Sequence, residues 1–115
     1  MTDCIFCKII QGKIPTEKIE ETNNFIAIAD ANPKTEGHIL IIPKKHFVTL
    51  LDIPDALGQE LLQITKRISS SILEKKLGNG FNILMNNFES AGQVVKHAHI
   101  HIIPRKENDG INVLA

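Results

Sequence analysis

The chain has 115 residues, the length of one domain, and its 43% hydrophobic and 23% charged residues exclude a disordered chain. Its 13 basic residues balance 13 acidic ones, and it has no Trp or Tyr, so neither a basic surplus nor aromatic stacking supports nucleic acid as a partner. No stretch approaches the roughly 20 apolar residues of a membrane helix, and no signal-peptide pattern stands at the N-terminus. We therefore expect a cytoplasmic protein with no membrane partner.

The spacing of apolar residues predicts two helices and five strands. In chain order they are a short helix at 4–11, strands at 18–21, 25–29 and 38–42, a long helix at 54–77, and strands at 81–86 and 94–103. Pro43 and Pro104 are expected to stop the strands before them, and Gly78–Gly80 is expected to end the long helix. Few helices and two groups of strands indicate an α+β domain with a mainly antiparallel sheet.

Three of the five histidines alternate with apolar residues near the end of the chain. In a strand, the side chains of His97, His99 and His101 share one face. The outer two would lie roughly 13 Å apart, so a single tetrahedral metal ion reaches all three poorly. The three histidines are therefore expected to have at least two different roles, because one neutral imidazole can attack phosphorus while another donates a proton. An exposed histidine-rich strand without a role is the plain alternative.

The two cysteines, Cys4 and Cys7, form a C-x-x-C pattern with three interpretations. A redox pair would follow a strand, and none is predicted before it. A zinc half-site would need two further ligands from elsewhere in the chain. The third interpretation is a pair of small buried hydrophobic residues.

The run 97–103 resembles the signature of the histidine-triad (HIT) superfamily, in which three histidines alternate with apolar residues. Segments 3–9 and 37–46 are similar to the family's opening and central strand, and Asn86-Asn87 and Gly92-Gln93 stand at the family's distances before the triad. The resemblance covers about 3–105, is strongest to the Hint-like branch and its short bacterial members, and indicates a single HIT domain over 1–115 with a short tail at 106–115. It implies a five-stranded antiparallel sheet with one long and one short helix, paired as a homodimer into a ten-stranded sheet.

The resemblance also implies an activity. The family hydrolyses nucleoside 5′-phosphoramidates, acylated nucleotides or dinucleoside polyphosphates through a nucleotidyl-histidine intermediate. By position, the nucleophile is His99, and His101 contacts the α-phosphate and helps to protonate the leaving group. His97 and His38 hold and tune the nucleophile.

A purine nucleotide is the implied substrate, with Asp30 at the ribose hydroxyls. The other positions that match the family's nucleotide-binding residues are Ala31, Asn86, Gln93, Val95, Ile5, Phe6 and Leu40. For the cysteines, the resemblance implies a structural, non-catalytic Zn²⁺ held by Cys4, Cys7, His46 and His97.

Three positions depart from the family's pattern. Val94 stands where many relatives have a hydroxyl side chain, Phe88 replaces a frequent glycine, and Lys96 stands where an aromatic or apolar residue is common. The missing hydroxyl at Val94 bears on the leaving group rather than on the nucleophile. Phe88 is expected to make the loop above the phosphate bulkier. Lys96 is expected to be a solvated edge residue, with a preference for anionic leaving groups as the alternative. Two other functions remain open: a dinucleoside polyphosphate hydrolase, and a zinc-stabilised nucleotide-binding or interaction module with weak turnover.

Overall fold

A computed structural model describes residues 3–113. Within that range, no helix is long and apolar enough to cross a membrane. The helices are α1 (Ile5–Ile10) and α2 (Gly58–Glu74), and the strands are β1 (Lys18–Glu21), β2 (Phe25–Ala29), β3 (Ile39–Pro43), β4 (Gly80–Leu84) and β5 (Ile100–Arg105). Short 3₁₀ turns lie at Leu50–Asp52, Asp55–Leu57 and Glu89–Ala91.

The five strands form one sheet in the order β1-β2-β3-β5-β4, and every neighbouring pair is antiparallel. The predicted α+β class with an antiparallel sheet, one long helix and one short helix is confirmed. β1 and β4 are the two edge strands, and β5 lies between β3 and β4.

The sheet has an apolar cluster on each face, because successive strand residues point to opposite sides. One cluster packs under α2 and contains Phe25, Ala27, Ile39, Ile41, Ile64, Ile68, Ile72 and Ile102. The other packs under α1 and contains Phe6, Ile26, Ile28, Leu40 and Ile42. The short helix α1 therefore covers the face opposite the long helix.

Helix α2 is shorter than the 54–77 segment that the pattern predicts. A 3₁₀ turn at Asp55–Leu57 precedes it, and it ends at Glu74 rather than at the glycines. Lys76 takes a left-handed backbone (φ 59°), and the Leu77 amide donates to the Ile72 carbonyl at 3.0 Å. This is the hydrogen bond of a Schellman cap, which ends a helix before any glycine is reached.

The last strand begins at Ile100, not at Val94. Residues 94–99 lead into β5 but lie outside the strand pairing of the sheet. In this segment the Ala98 amide donates to the Phe47 carbonyl at 2.7 Å. β3 ends at Pro43 as predicted, although Pro43 itself still pairs with Phe25. β5 does not stop before Pro104: this proline pairs with Phe81, and the strand continues to Arg105. A proline lacks only the N–H and still fits extended backbone, so it can occupy a strand position where no donor is needed.

Candidate functional site

The three histidines of the 97–103 run meet on the face of the sheet that α1 covers. The ring of Phe6, on α1, lies 5.8 Å from the His97 ring and 5.0 Å from the His99 ring, and the His99 and His101 rings are 5.2 Å apart. Of the three, His101 alone belongs to β5. The side chains of residues 97–99, which precede the strand, continue its alternation between the two faces of the sheet. His97 and His99 are buried rather than open to solvent, with 0% and 8% of their surface exposed.

The tautomer of His99 follows from a hydrogen bond of its ring. Its Nδ1 lies 2.8 Å from the backbone carbonyl oxygen of His97. A carbonyl oxygen only accepts, so Nδ1 carries the hydrogen and the Nε2 of His99 holds the lone pair. A neutral imidazole in this orientation can act as a nucleophile.

A chain of hydrogen bonds sets the orientation of His101. The backbone amide of Lys34 donates to Nδ1 of His38 at 3.0 Å, so Nε2 of His38 carries the hydrogen. That Nε2 lies 3.0 Å from Nδ1 of His101. When His101 accepts there, its own Nε2–H is left as a donor.

His38 and His101 both act as neutral rings in this hydrogen-bonded arrangement, since Nδ1 of each accepts a hydrogen bond. Burial is the main cause that lowers the pKa of His101 to about 4, and burial also lowers the pKa of His38. His101 is thus a hydrogen-bond donor in the site without being a cation.

Asp30 stands beside the same two rings. Its Oδ2 is 3.3 Å from Nε2 of His38 and 3.9 Å from Nδ1 of His101, while the Asn32 amide donates to its Oδ1 at 2.9 Å. The sequence placed Asp30 at the ribose through the family resemblance, but its contact with His38 was missed. Nothing in the sequence pattern signals that contact or the role of the Lys34 amide, which is a backbone group.

Cys4, Cys7, His46 and His97 come together as a four-ligand cluster. Cys4 caps α1 and Cys7 lies one turn later, whereas His46 follows β3. The sulfur of Cys4 is 3.3 Å from Nδ1 of His97, and the sulfur of Cys7 is 3.3 Å from Nδ1 of His46 and 3.6 Å from that of His97.

These separations suit a metal ion. In a tetrahedral zinc site, sulfur and nitrogen ligands lie about 3.6 Å apart. Nε2 of His97 lies 2.8 Å from the Pro43 carbonyl and therefore carries the hydrogen, which leaves the Nδ1 lone pair for the cluster. The four side chains have the geometry and the donor atoms to hold a metal ion.

Asp30, His38 and His101 also lie close enough to share a metal ion, but their hydrogen bonding opposes one. A metal on Nε2 of His38 would require a hydrogen on Nδ1. That hydrogen would face the N–H of Lys34, so two donors would meet. This trio is suited to hydrogen bonding instead.

The predicted nucleotide-binding residues fall in different environments. Phe6 and Leu40 are buried in the α1 cluster with Val95 packed against it, whereas Ala31 is exposed. Two of the predicted residues, Ile5 and Val95, line a surface cavity of about 710 Å³. It is lined by Asp3, Cys4, Ile5, His46, Val94, Val95 and Lys96.

Two amide side chains precede the triad. A Cβ built on Gly92 would lie 3.6 Å from the Asn86 side-chain nitrogen, so that amide lies close to the Gly92 backbone. Gln93 is buried, and its side chain joins two loops: it accepts from the Phe88 amide at 2.8 Å and donates to the Val48 carbonyl at 2.6 Å. One hydrogen of the Gln93 amide is therefore already used within the protein.

Comparisons with known proteins agree with this geometry. A family model described as "HIT domain" matches residues 11–108. Adenylylsulfatase HINT3 of Arabidopsis thaliana is 46% identical over 107 residues, which cover 93% of this chain and 54% of that protein. Adenosine 5′-monophosphoramidase HNT1 of Candida albicans is 43% identical over 108 residues, which cover 90% of this chain and 71% of that protein.

A solved structure is similar over nearly the whole chain. It is described as a Zn-bound histidine triad family protein from Mycobacterium smegmatis, and it has a TM-score of 0.90 and 36% identity. The match covers 97% of this chain and 81% of that one. The present chain thus spans about half the length of the plant relative and most of the bacterial one.

Proposed function

Because the chain belongs to the HIT domain family, we propose that it is a purine nucleotide hydrolase that cleaves nucleoside 5′-phosphoramidates or related nucleotidyl bonds. Relatives named as an adenylylsulfatase and an adenosine monophosphoramidase support this class of reaction. The observation that carries the proposal is the orientation of His99. Its Nδ1–H donates to the His97 carbonyl, so Nε2 of this buried ring holds the lone pair.

In the proposed mechanism, Nε2 of His99 attacks the α-phosphorus and the bond from phosphorus to the leaving group breaks. The Nδ1–H of His99 remains on the His97 carbonyl and stabilises the positive charge that develops on the ring. The Nε2–H of His101 donates to the phosphate or to the departing atom. Water then attacks the same phosphorus and gives a proton to Nε2 of His101, which gave its own to the departing atom. The bond to His99 breaks, and the nucleoside monophosphate leaves with the water oxygen.

The nucleotide itself would be held by neutral and acidic groups. The carboxylate of Asp30 suits the two ribose hydroxyls, since it accepts hydrogen bonds only. Asn86, the second Nε2 hydrogen of Gln93 and the backbone amide of Val95 are candidate donors to the phosphate. The base would lie on apolar side chains next to α1, with Ile5 at the surface cavity.

We also propose that the four-ligand cluster holds Zn²⁺ in a structural role. Two thiolates and two imidazoles are a donor set that zinc prefers, and all four positions are filled by protein, so no coordination site is left for water. When bound, the metal supplies folding free energy and no reactive group. In this chain, it would fasten α1 to the segment that carries His97.

Hydrolysis of a fluorogenic adenosine 5′-phosphoramidate tests the proposed function. The wild type should turn over, and His99→Asn should lose activity by about four orders of magnitude or more. Both proteins must bind AMP and melt at similar temperatures, so that the loss reports chemistry rather than folding. Turnover by His99→Asn would contradict the proposal, and so would failure of the folded, AMP-binding wild type to act.

Stereochemistry at phosphorus tests the covalent intermediate separately. Two successive in-line displacements give net retention of configuration, whereas a single attack by water gives inversion. Inversion with an isotopically chiral substrate would remove His99 as a nucleophile.

We further propose that the protein is a homodimer joined through β4. Phe81 and Ile83 on this edge strand are exposed, and β4 carries no charged residue. Leu62 and Leu73 are exposed on α2, which contacts β4, and a separation of eleven residues places them on one face of the helix. An uncharged apolar edge strand is a template for pairing with a second copy.

A further inference from the structure

One hydrogen in the site has two acceptors within reach. The Lys34 amide fixes the hydrogen of His38 on Nε2, as described above. That Nε2 lies 3.0 Å from Nδ1 of His101 and 3.3 Å from Oδ2 of Asp30. A single N–H cannot make a full hydrogen bond to both acceptors at once.

The two acceptors differ in strength. A carboxylate is charged, and hydrogen bonds to charged acceptors are roughly twice as strong as those between neutral groups. His101 is neutral, so Asp30 competes well for the hydrogen despite its longer distance. While the hydrogen is shared, His101 is held less firmly in the orientation that presents its Nε2–H.

We propose that Asp30 is a positioning residue through which ribose binding orients His101. This inference rests on the proposed function, in which the ribose hydroxyls donate to Asp30. Two hydroxyl donors weaken the carboxylate as an acceptor for His38. The Nε2–H of His38 then donates its hydrogen bond to Nδ1 of His101 instead of to Asp30. His101 is thereby held with its own Nε2–H in the donating orientation when a nucleotide occupies the site.

The position of Asp30 is compatible with both contacts. The Asn32 amide holds Oδ1 and directs Oδ2 toward the two rings. The Asp30 side chain is 17% exposed, so it remains open to a ligand, whereas His38 is 1% exposed. A bound ribose therefore contacts Asp30 directly, whereas the His38 ring behind it offers almost no surface of its own.

Steady-state kinetics with two substrates tests the proposal. The substrates are adenosine 5′-phosphoramidate and its 2′,3′-dideoxy analogue, compared in the wild type, Asp30→Ala and His38→Ala. In the wild type, loss of both hydroxyls should raise KM and also lower kcat by about fivefold, the effect of losing one orienting hydrogen bond. In Asp30→Ala, the ratio of the two kcat values should fall to about one, since no carboxylate competes.

His38→Ala separates positioning from binding. Asp30 can still bind the ribose in this variant, so the ratio of the two KM values should persist. The hydrogen that Asp30 and His101 share is gone, so the ratio of the kcat values should fall to about one. A wild-type kcat that does not depend on the hydroxyls, or a kcat ratio that survives in His38→Ala, would overturn the inference.

A second measurement does not depend on turnover. With ¹⁵N-labelled histidine, AMP should move the Nδ1 resonance of His101 in the direction of a stronger accepted hydrogen bond, and 2′,3′-dideoxy-AMP should not. Equal shifts with the two nucleotides would overturn the inference. A wild type that shows the selective shift but hydrolyses no phosphoramidate would refute the proposed function alone.

Discussion

The backbone of His97 orients the ring of His99: the Nδ1 hydrogen of His99 is donated to the His97 carbonyl oxygen across 2.8 Å. The ring of His97 meanwhile faces the sulfur of Cys4 at 3.3 Å. One residue therefore contacts the proposed nucleophile through its backbone and the proposed metal cluster through its side chain. His97 therefore links the orientation of the proposed nucleophile to the cluster that is proposed to stabilise the fold.

The first prediction concerns the metal. Protein purified without chelators should contain about one zinc ion per chain, and Cys7→Ser should lose it. Loss of a structural zinc should cost at least about 3 kcal/mol of unfolding free energy and lower Tm by about 10 °C or more. Elemental analysis and calorimetry measure both, with Lys8→Ser on the same helix as the control that keeps its metal. A zinc content below about 0.2 equivalents in the wild type would contradict the prediction.

The second prediction concerns pH and stability. His101 has a pKa of about 4 in the folded protein and about 6.5 when unfolded. Between these values the unfolded chain binds a proton that the folded protein does not, so the free energy of unfolding rises with pH through this window. The contribution is about 3 kcal/mol, fully present above pH 6.5 and lost as the pH falls through 4.

Urea denaturation at several pH values, compared with His101→Asn, isolates this contribution. The other titrating groups act in both proteins, so the difference between the two curves reports His101. The variant should show a shallower dependence between pH 4 and 6.5. Parallel curves would show that burial does not shift the pKa of this residue.

The third prediction concerns Phe88, which departs from the family's frequent glycine. Its backbone lies at φ 72° and ψ 158°, a region that almost only glycine adopts, and 58% of the residue's surface is exposed. Phe88→Gly should stabilise the protein by about 1 kcal/mol, because relief of strain exceeds the added entropy of the unfolded chain. Phe88→Ala loses the same ring but keeps the strain, so thermal denaturation should show no gain for it.

The fourth prediction concerns the homodimer. Ile83→Glu places a charge in the middle of β4 and should give a monomer in sedimentation at micromolar concentration. Ile19→Glu is the matched control, since Ile19 is exposed on the opposite edge strand β1. β1 already carries Lys18, Glu20 and Glu21, a charge density that opposes pairing at that edge. A monomeric wild type, or a dimeric Ile83→Glu variant, would refute the β4 interface.

The alternating histidines show what sequence could predict and where it stopped. Period-two spacing correctly predicted one shared face for His97, His99 and His101, but it predicted a continuous strand from Val94. Apolar alternation cannot reveal that the Ala98 amide bonds to Phe47 rather than to a neighbouring strand. That partner comes from the segment after β3, which had no predicted structure.

The contacts around His38 lay beyond the sequence for a different reason. Asp30 and His101 are distant in the chain, and the donor that sets the tautomer of His38 is the backbone of Lys34, which any residue supplies except proline.

The contacts of Gln93 could not be predicted for a similar reason. Its predicted role as a phosphate donor remains untested, but its bonds to Phe88 and Val48 depend on how two loops meet.

The four cluster residues also constrain the order in which the protein can mature. Cys4, Cys7 and His46 are synthesised within about 40 residues of one another, whereas His97 follows His46 by about 50 more. A nascent chain can offer three ligands early, but the fourth arrives with the strand that completes the centre of the sheet. Coordination by all four ligands would therefore occur only in a chain in which the residues of β5 are available to complete the sheet.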